Sequence, residues 1–160
     1  MSYTASVLRL VDGAWAGDDL DLADVEDFDA LIELLREHRP DDATSVLFVD
    51  EDDEYLLVVR STGERDPHVF VSDRRVLDAP TIAARLLGSE LGGPAGEDEE
   101  EGNRPEVEPA GEADLLADLG VSANALVTLC AEKGLLPADV TYEVCDRLGC
   151  GDIFETLRGL

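Results

Sequence analysis

The side chains of this chain that could do chemistry are three cysteines, two histidines and a large excess of carboxylates. Cys145 and Cys150 are separated by four residues, and no second pair accompanies them. A structural zinc site needs four ligands, so these thiols, with Cys130, read as buried or incidental. His38 falls at the end of a helical stretch, where an imidazolium suits the helix dipole. His68 opens a strand, and neither histidine belongs to a His-x-Glu or Cys-x-x-Cys setting. The acidic run Asp50-Glu-Asp-Asp-Glu54 invites a calcium reading. An EF-hand loop, however, needs glycine sixth and a chelating glutamate twelfth, and here those places hold Tyr55 and Ser61. A solvated hairpin tip accounts for the run better. No phosphate-cradling glycine loop, nucleophile elbow, metalloprotease helix or kinase signature occurs, and Gly149-Cys-Gly151 is too slight to stand for one. Any two carboxylates could form an acid–base pair, but nothing in the sequence selects one pair. The expectation is no catalytic residue, no cofactor and no metal.

Charge is the extreme feature. Thirty-eight acids against twelve bases give a net charge of −26 and a pI near 4.1. Such a surface repels phosphate backbones and anionic membranes and attracts basic proteins. Solubility alone also explains acidic surfaces, and the bases are nearly all arginine, with Lys133 the one lysine. Both readings stand on charge alone, but direct nucleic-acid binding is not expected. No stretch approaches membrane-spanning length, and the N-terminal residues lack a basic segment followed by an apolar run. With an odd number of cysteines, this points to the reducing cytoplasm.

The elements that would position these groups start with a sheet. Ser45–Val49, Tyr55–Arg60 and His68–Ser72 are β-rich runs separated by turn residues, an antiparallel meander. The first two are apolar on both side-chain phases, which predicts central strands covered on both faces. Upstream, Tyr3–Val11 alternates, Asp12-Gly13 suits a two-residue turn, and Ala14–Ala16 is the short return strand. Trp15 reads as a core or edge anchor. Asp27–His38 carries Phe28, Leu31, Ile32 and Leu35 at helical spacing, ends before Pro40 and makes the obvious cover for one face. A second helix is expected from Asp78-Ala-Pro80, with Ile82, Leu86 and Leu87 inward and Gly88 at its end.

The chain then changes character. Residues 92–111 are rich in Gly, Pro and Glu and nearly devoid of bulky apolar groups, so they read as a flexible acidic linker. Helices follow: Asp114–Leu119, one capped by Ser122, one opened by Pro137, and a short last one from Gly151-Asp152. About fifty residues are marginal alone. They should dock on the sheet, on a second copy or on a partner. The fold class is α+β: a sheet domain at 1–88, a linker at 89–112 and a helical segment at 113–160.

The chain resembles a family of actinobacterial proteins described as tRNA adenosine deaminase-associated. Asp12-Gly13 with Trp15, Leu20-Asp-Leu-Ala-Asp-Val25 and Asp66-Pro-His-Val-Phe-Val-Ser-Asp73 carry the likeness in the first half. Asp114-Leu-Leu-Ala-Asp-Leu-Gly-Val-Ser122, Gly134-Leu-Leu-Pro-Ala-Asp139 and Asp152-Ile-Phe-Glu-Thr-Leu-Arg158 carry it in the second. The resemblance implies a link to the enzyme that converts adenosine to inosine in tRNA. It carries over no functional residue. A zinc nucleobase deaminase needs His-x-Glu and Pro-Cys-x-x-Cys, and neither occurs here, so the chain is not that enzyme.

The function expected is a non-enzymatic accessory or regulatory protein that binds a basic surface, that of the deaminase or of another basic protein. Its candidate contacts are Asp18, Asp19, Asp21, Asp24 and Glu26, together with Glu97, Asp98, Glu99, Glu100 and Glu101. Two alternatives remain open. One is an enzymatic or ligand-binding α+β domain with a pocket between sheet and C-terminal helices. The other is an acidic cytoplasmic protein with an unrelated partner. A homo-oligomer is compatible with each.

Overall fold

The computed structural model describes residues 3–37, 43–62, 67–78, 80–91, 109–132 and 135–158. β1 (Tyr3–Val11) turns through Asp12 and Gly13, whose φ angles of 52° and 81° are both positive. That geometry matches the right-handed twist of a tight hairpin and favours Asp-Gly. The return strand β2 (Ala14–Asp19) runs three residues past Ala16, and Asp19 pairs with Ser6. Leu20, Leu22 and Val25 are buried between exposed acids and lead into α1 (Phe28–Glu37). Asp27 caps that helix by accepting from the Ala30 N–H at 2.8 Å.

The meander is present as β3 (Thr44–Glu51), β4 (Tyr55–Thr62) and β5 (His68–Val71), all antiparallel. A 3-10 turn over Arg74–Asp78 leads to α2 (Ile82–Leu91). Here the sequence expectation needs correcting at both ends. Thr81 is the cap, accepting from the Ala84 N–H at 3.0 Å, and Pro80 lies just outside. The helix also runs through Gly88 to Leu91. Glycine within a helix costs only about 1 kcal/mol, which burial of Leu86 and Leu87 offsets. Most of the Gly/Pro/Glu-rich stretch, residues 92–108, lies outside the described residues. At its end Ala110–Gly111 forms β6, a two-residue edge strand on β5.

The sheet order is β2-β1-β3-β4-β5-β6, and both faces are clothed. On the first, Val7, Leu47, Val49, Leu57 and Val59 pack with α1 and α2. On the second, Leu8, Val46, Phe48, Leu56, Val58 and Phe70 pack with the C-terminal helices. Both phases of the central strands are therefore buried, as their unbroken apolar runs predict.

The C-terminal elements are α3 (Ala123–Ala131), α4 (Pro137–Leu148) and α5 (Gly151–Arg158). Ser122 caps α3 through the Ala125 N–H at 3.1 Å, and Pro137 occupies the first turn of α4. Asp114–Leu119 is not a helix but a turn ending in a single 3-10 stretch, Ala117–Leu119. Six residues before a glycine are too few to nucleate an α-helix, and burial of Leu115 and Leu116 fixes the tighter turn.

Side-chain ties complete the docking. Arg60 donates to the Leu115 carbonyl at 2.8 Å and to the Asp118 carboxylate at 3.0 Å. Trp15 donates from Nε1 to the Leu148 carbonyl at 3.1 Å, satisfying an orphan acceptor at the end of α4. That is the anchor role expected of it. Gly17 lets α5 approach β2, since a Cβ there would lie 2.7 Å from Leu8 and 2.8 Å from Ile153.

Candidate functional site

The acidic lead-in forms one continuous exposed edge beside β1. Leu20, Leu22 and Val25 point into the core, which turns Asp18, Asp19, Asp21, Asp24 and Glu26 outward. Their environments differ. Asp18 pairs with Arg9 on the neighbouring strand. Asp21 accepts from the Ala23 N–H at 2.9 Å and from the Tyr3 hydroxyl at 3.1 Å. Those bonds, the backbone one foremost, hold its carboxyl below the usual range. Tyr3 in turn accepts from the Leu22 N–H at 2.7 Å. Asp21 thus shapes the loop, while Asp24 and Glu26 project from it. Glu97, Asp98, Glu99, Glu100 and Glu101 lie outside the described residues, as does His38.

Among the described residues, no group of three or more His, Cys, Asp or Glu is placed to hold a metal ion. The thiols are buried or half-buried and free of disulfides. Burial pushes Cys130 up to about 12, and the Cys150 thiol together with burial raises Cys145. Protonated thiols of this kind are poor nucleophiles at neutral pH. His68 sits 2.6 Å from Glu112, an exposed pair across β5 and the end of β6.

Among the described residues one carboxylate is buried: Glu51, at the end of β3. It accepts from the Tyr55 hydroxyl at 2.7 Å and from the Ile82 N–H at 2.9 Å. Tyr55 accepts in turn from the Ala83 N–H at 3.0 Å. Burial and the neighbouring Glu51 raise the Tyr55 pKa. Together the pair satisfies two orphan donors of the first turn of α2, in favourable alignment with its dipole. This is helix capping from a neighbouring hairpin. Sequence reasoning had no means of finding it, because the partners lie 28 and 31 residues away.

Between the sheet and the C-terminal helices, the described residues enclose a recess of about 30 Å³, reached by Ser6, Phe48, Asp50, Thr141 and Phe154. It lies on the face opposite Glu51. A larger concavity of about 650 Å³ opens outward between α4 and α5. Leu135, Ala138 and Phe154 form its apolar wall, and Asp139, Glu143 and Glu155 its charged rim. Glu155 accepts a hydrogen bond from Tyr142; that bond and the nearby Asp146 and Asp152 raise the tyrosine's pKa. None of these acids was singled out from the sequence. The available signal was the spacing of Asp139, Tyr142, Glu143 and Asp146, which sets them along one stripe of α4.

A six-stranded antiparallel sheet clothed by helices, with carboxylates along an edge and around an outward cleft, defines an acidic α+β protein. More narrowly, the chain belongs to the Rv3753c-like tRNA adenosine deaminase-associated protein family, whose model matches residues 2–151. The family name indicates association with tRNA adenosine deaminase, and describes a protein other than the deaminase itself. No curated protein matches the chain, and no solved structure does. Among the described residues, no helix is long and apolar enough to cross a membrane.

Proposed function

We propose that this chain is a non-enzymatic accessory or regulatory protein of the tRNA adenosine deaminase, acting in the cytoplasm by docking on a basic surface of that enzyme. The family match carries this reading, and the charge of −26 gives it a physical basis. An enzyme that binds tRNA needs a cationic face, and an acidic chain is its complement. The contacts are the outward carboxylates Asp18, Asp19, Asp21, Asp24 and Glu26, joined by the run Glu97–Glu101. Asp24 and Glu26 contribute most, because Asp18 and Asp21 already answer to Arg9 and to the loop backbone.

Calorimetric titration against the deaminase of the same organism, at near-physiological salt and with and without tRNA, tests the proposal. Saturable binding that tRNA weakens supports docking on the tRNA-binding face. Binding indifferent to tRNA keeps the partnership but moves the contact elsewhere. Absence of binding in both conditions refutes the accessory role.

A further inference from the structure

The concavity between α4 and α5 has features that a solvated acidic surface does not require. Its floor is apolar, formed by Leu135, Ala138 and Phe154. Its rim carries Asp139, Glu143 and Glu155, and no cation is among the described lining residues. At the start of α4, Leu136 is the large hydrophobic side chain left exposed among the described residues, at 49%. Beyond Ala138 and Phe154, which line both spaces, lies the small recess that Ser6 reaches from the sheet. Ser6 is 1% exposed, and its Oγ has no hydrogen-bond partner among the described residues. A buried hydroxyl without a partner costs about 1–3 kcal/mol, so this recess, which the Asp50 carboxylate also lines, is a polar space behind the cleft's apolar wall.

We infer that the α4–α5 cleft is a peptide-docking site for a protein segment that carries arginine or lysine beside an apolar residue. The match is chemical. A long cationic side chain has an apolar stem and a charged head, which suits an apolar floor inside a carboxylate rim. Tyr142 adds an aromatic ring where such a head can rest. The neighbouring apolar residue of the segment covers Leu136 and the outer part of the wall. Charge complementarity selects this occupant over a second copy of the same acidic chain, whose rim would repel it. The inference does not depend on the deaminase reading, since any protein that presents such a segment would serve.

The probe is a fluorescein-labelled hexapeptide of alternating arginine and leucine, titrated into the full chain and followed by anisotropy. Glu143→Gln combined with Glu155→Gln should weaken binding about tenfold. Ala138→Phe, which fills the floor and leaves every charge in place, should weaken it to a similar degree. Glu33→Gln with Glu37→Gln on α1 removes the same charge from the opposite face of the sheet and should change affinity less than about twofold. A peptide with serine in place of leucine should bind weakly, and spermidine should compete poorly. Circular dichroism confirms that each variant is folded. Three results would overturn the inference: no saturable binding, equal loss in the α1 and cleft variants, or spermidine competing as well as unlabelled peptide. The last two would reduce the effect to bulk charge.

Discussion

The two faces of the sheet are covered by helices held in different ways. On the α1–α2 face the polar tie is buried: Glu51 and Tyr55 satisfy the first turn of α2 from inside the core. On the α3–α5 face the ties lie nearer the rim. Arg60 reaches Asp118, whose side chain is 68% exposed, and Trp15 reaches the last carbonyl of α4. A buried tie cannot be lost without stranding its partners in a dry core, so it belongs to the global transition. A rim tie can be lost to water, so it governs local opening. The difference predicts different mechanical characters for the two faces, the first the more rigid and the second the more adjustable, and the outward cleft sits on the second.

The comparison breaks first at Glu51. Glu51→Ala leaves the Ile82 N–H and the Tyr55 phenolic proton without an acceptor, and should cost about 3 kcal/mol in urea unfolding. A loss under 1 kcal/mol would mean that water reaches the site and that the first face is no more rigid than the second. The pH dependence sharpens the same point. The folded-state pKa of Tyr55 is raised above its unfolded value, so the folded state holds that proton more tightly. Its stabilising contribution is complete below about pH 10, where an unfolded tyrosine ionises, and is lost as pH rises from there through the folded value. Stability measured from pH 9 upward should fall more steeply in the wild type than in Tyr55→Phe. Identical slopes would show that the phenol is not buried as described.

The next largest effect is expected at the edge strand. Gly111 has a φ of 94°, and a Cβ there would lie 2.3 Å from the Val69 carbonyl oxygen. Gly111→Ala should therefore release β6 from β5 at a cost of about 2 kcal/mol, with exchange at the Glu112 N–H, which donates to Val69, accelerated most. Unchanged exchange there would remove β6 from the sheet's stable part.

How much of this was legible in the sequence follows from range. The central strands were, because an apolar run on both phases has one physical solution. The Asp12-Gly13 hairpin and the Ser122 and Pro137 helix starts were too, because each is decided within four residues. The 3-10 turn at Ala117–Leu119, the run of α2 through Gly88, and β6 were not, since tertiary burial or pairing decides them. The outward placement of Asp18 to Glu26 follows from the alternation with Leu20, Leu22 and Val25. The division of labour among those acids does not, because Tyr3 and Arg9 come from another strand. The α4–α5 cleft needed the two helices placed side by side, which no local pattern specifies.

The smallest effects are expected on the second face, and they decide whether that face is adjustable. Arg60→Met keeps the apolar stem and removes the bonds to Leu115 and Asp118, at about 1–1.5 kcal/mol; Asp118→Asn should cost under about 1 kcal/mol, since its side chain is mostly in water. The pattern of the loss matters more than its size. Native-state hydrogen exchange in Arg60→Met should accelerate in α3 and α4 and leave β3, β4 and α2 at wild-type protection, because the lost bonds tie a terminal layer and not the sheet. Protection falling equally in every element would mean that the two faces open together. The buried and rim ties would then be equivalent, and the cleft could open only when the whole fold does.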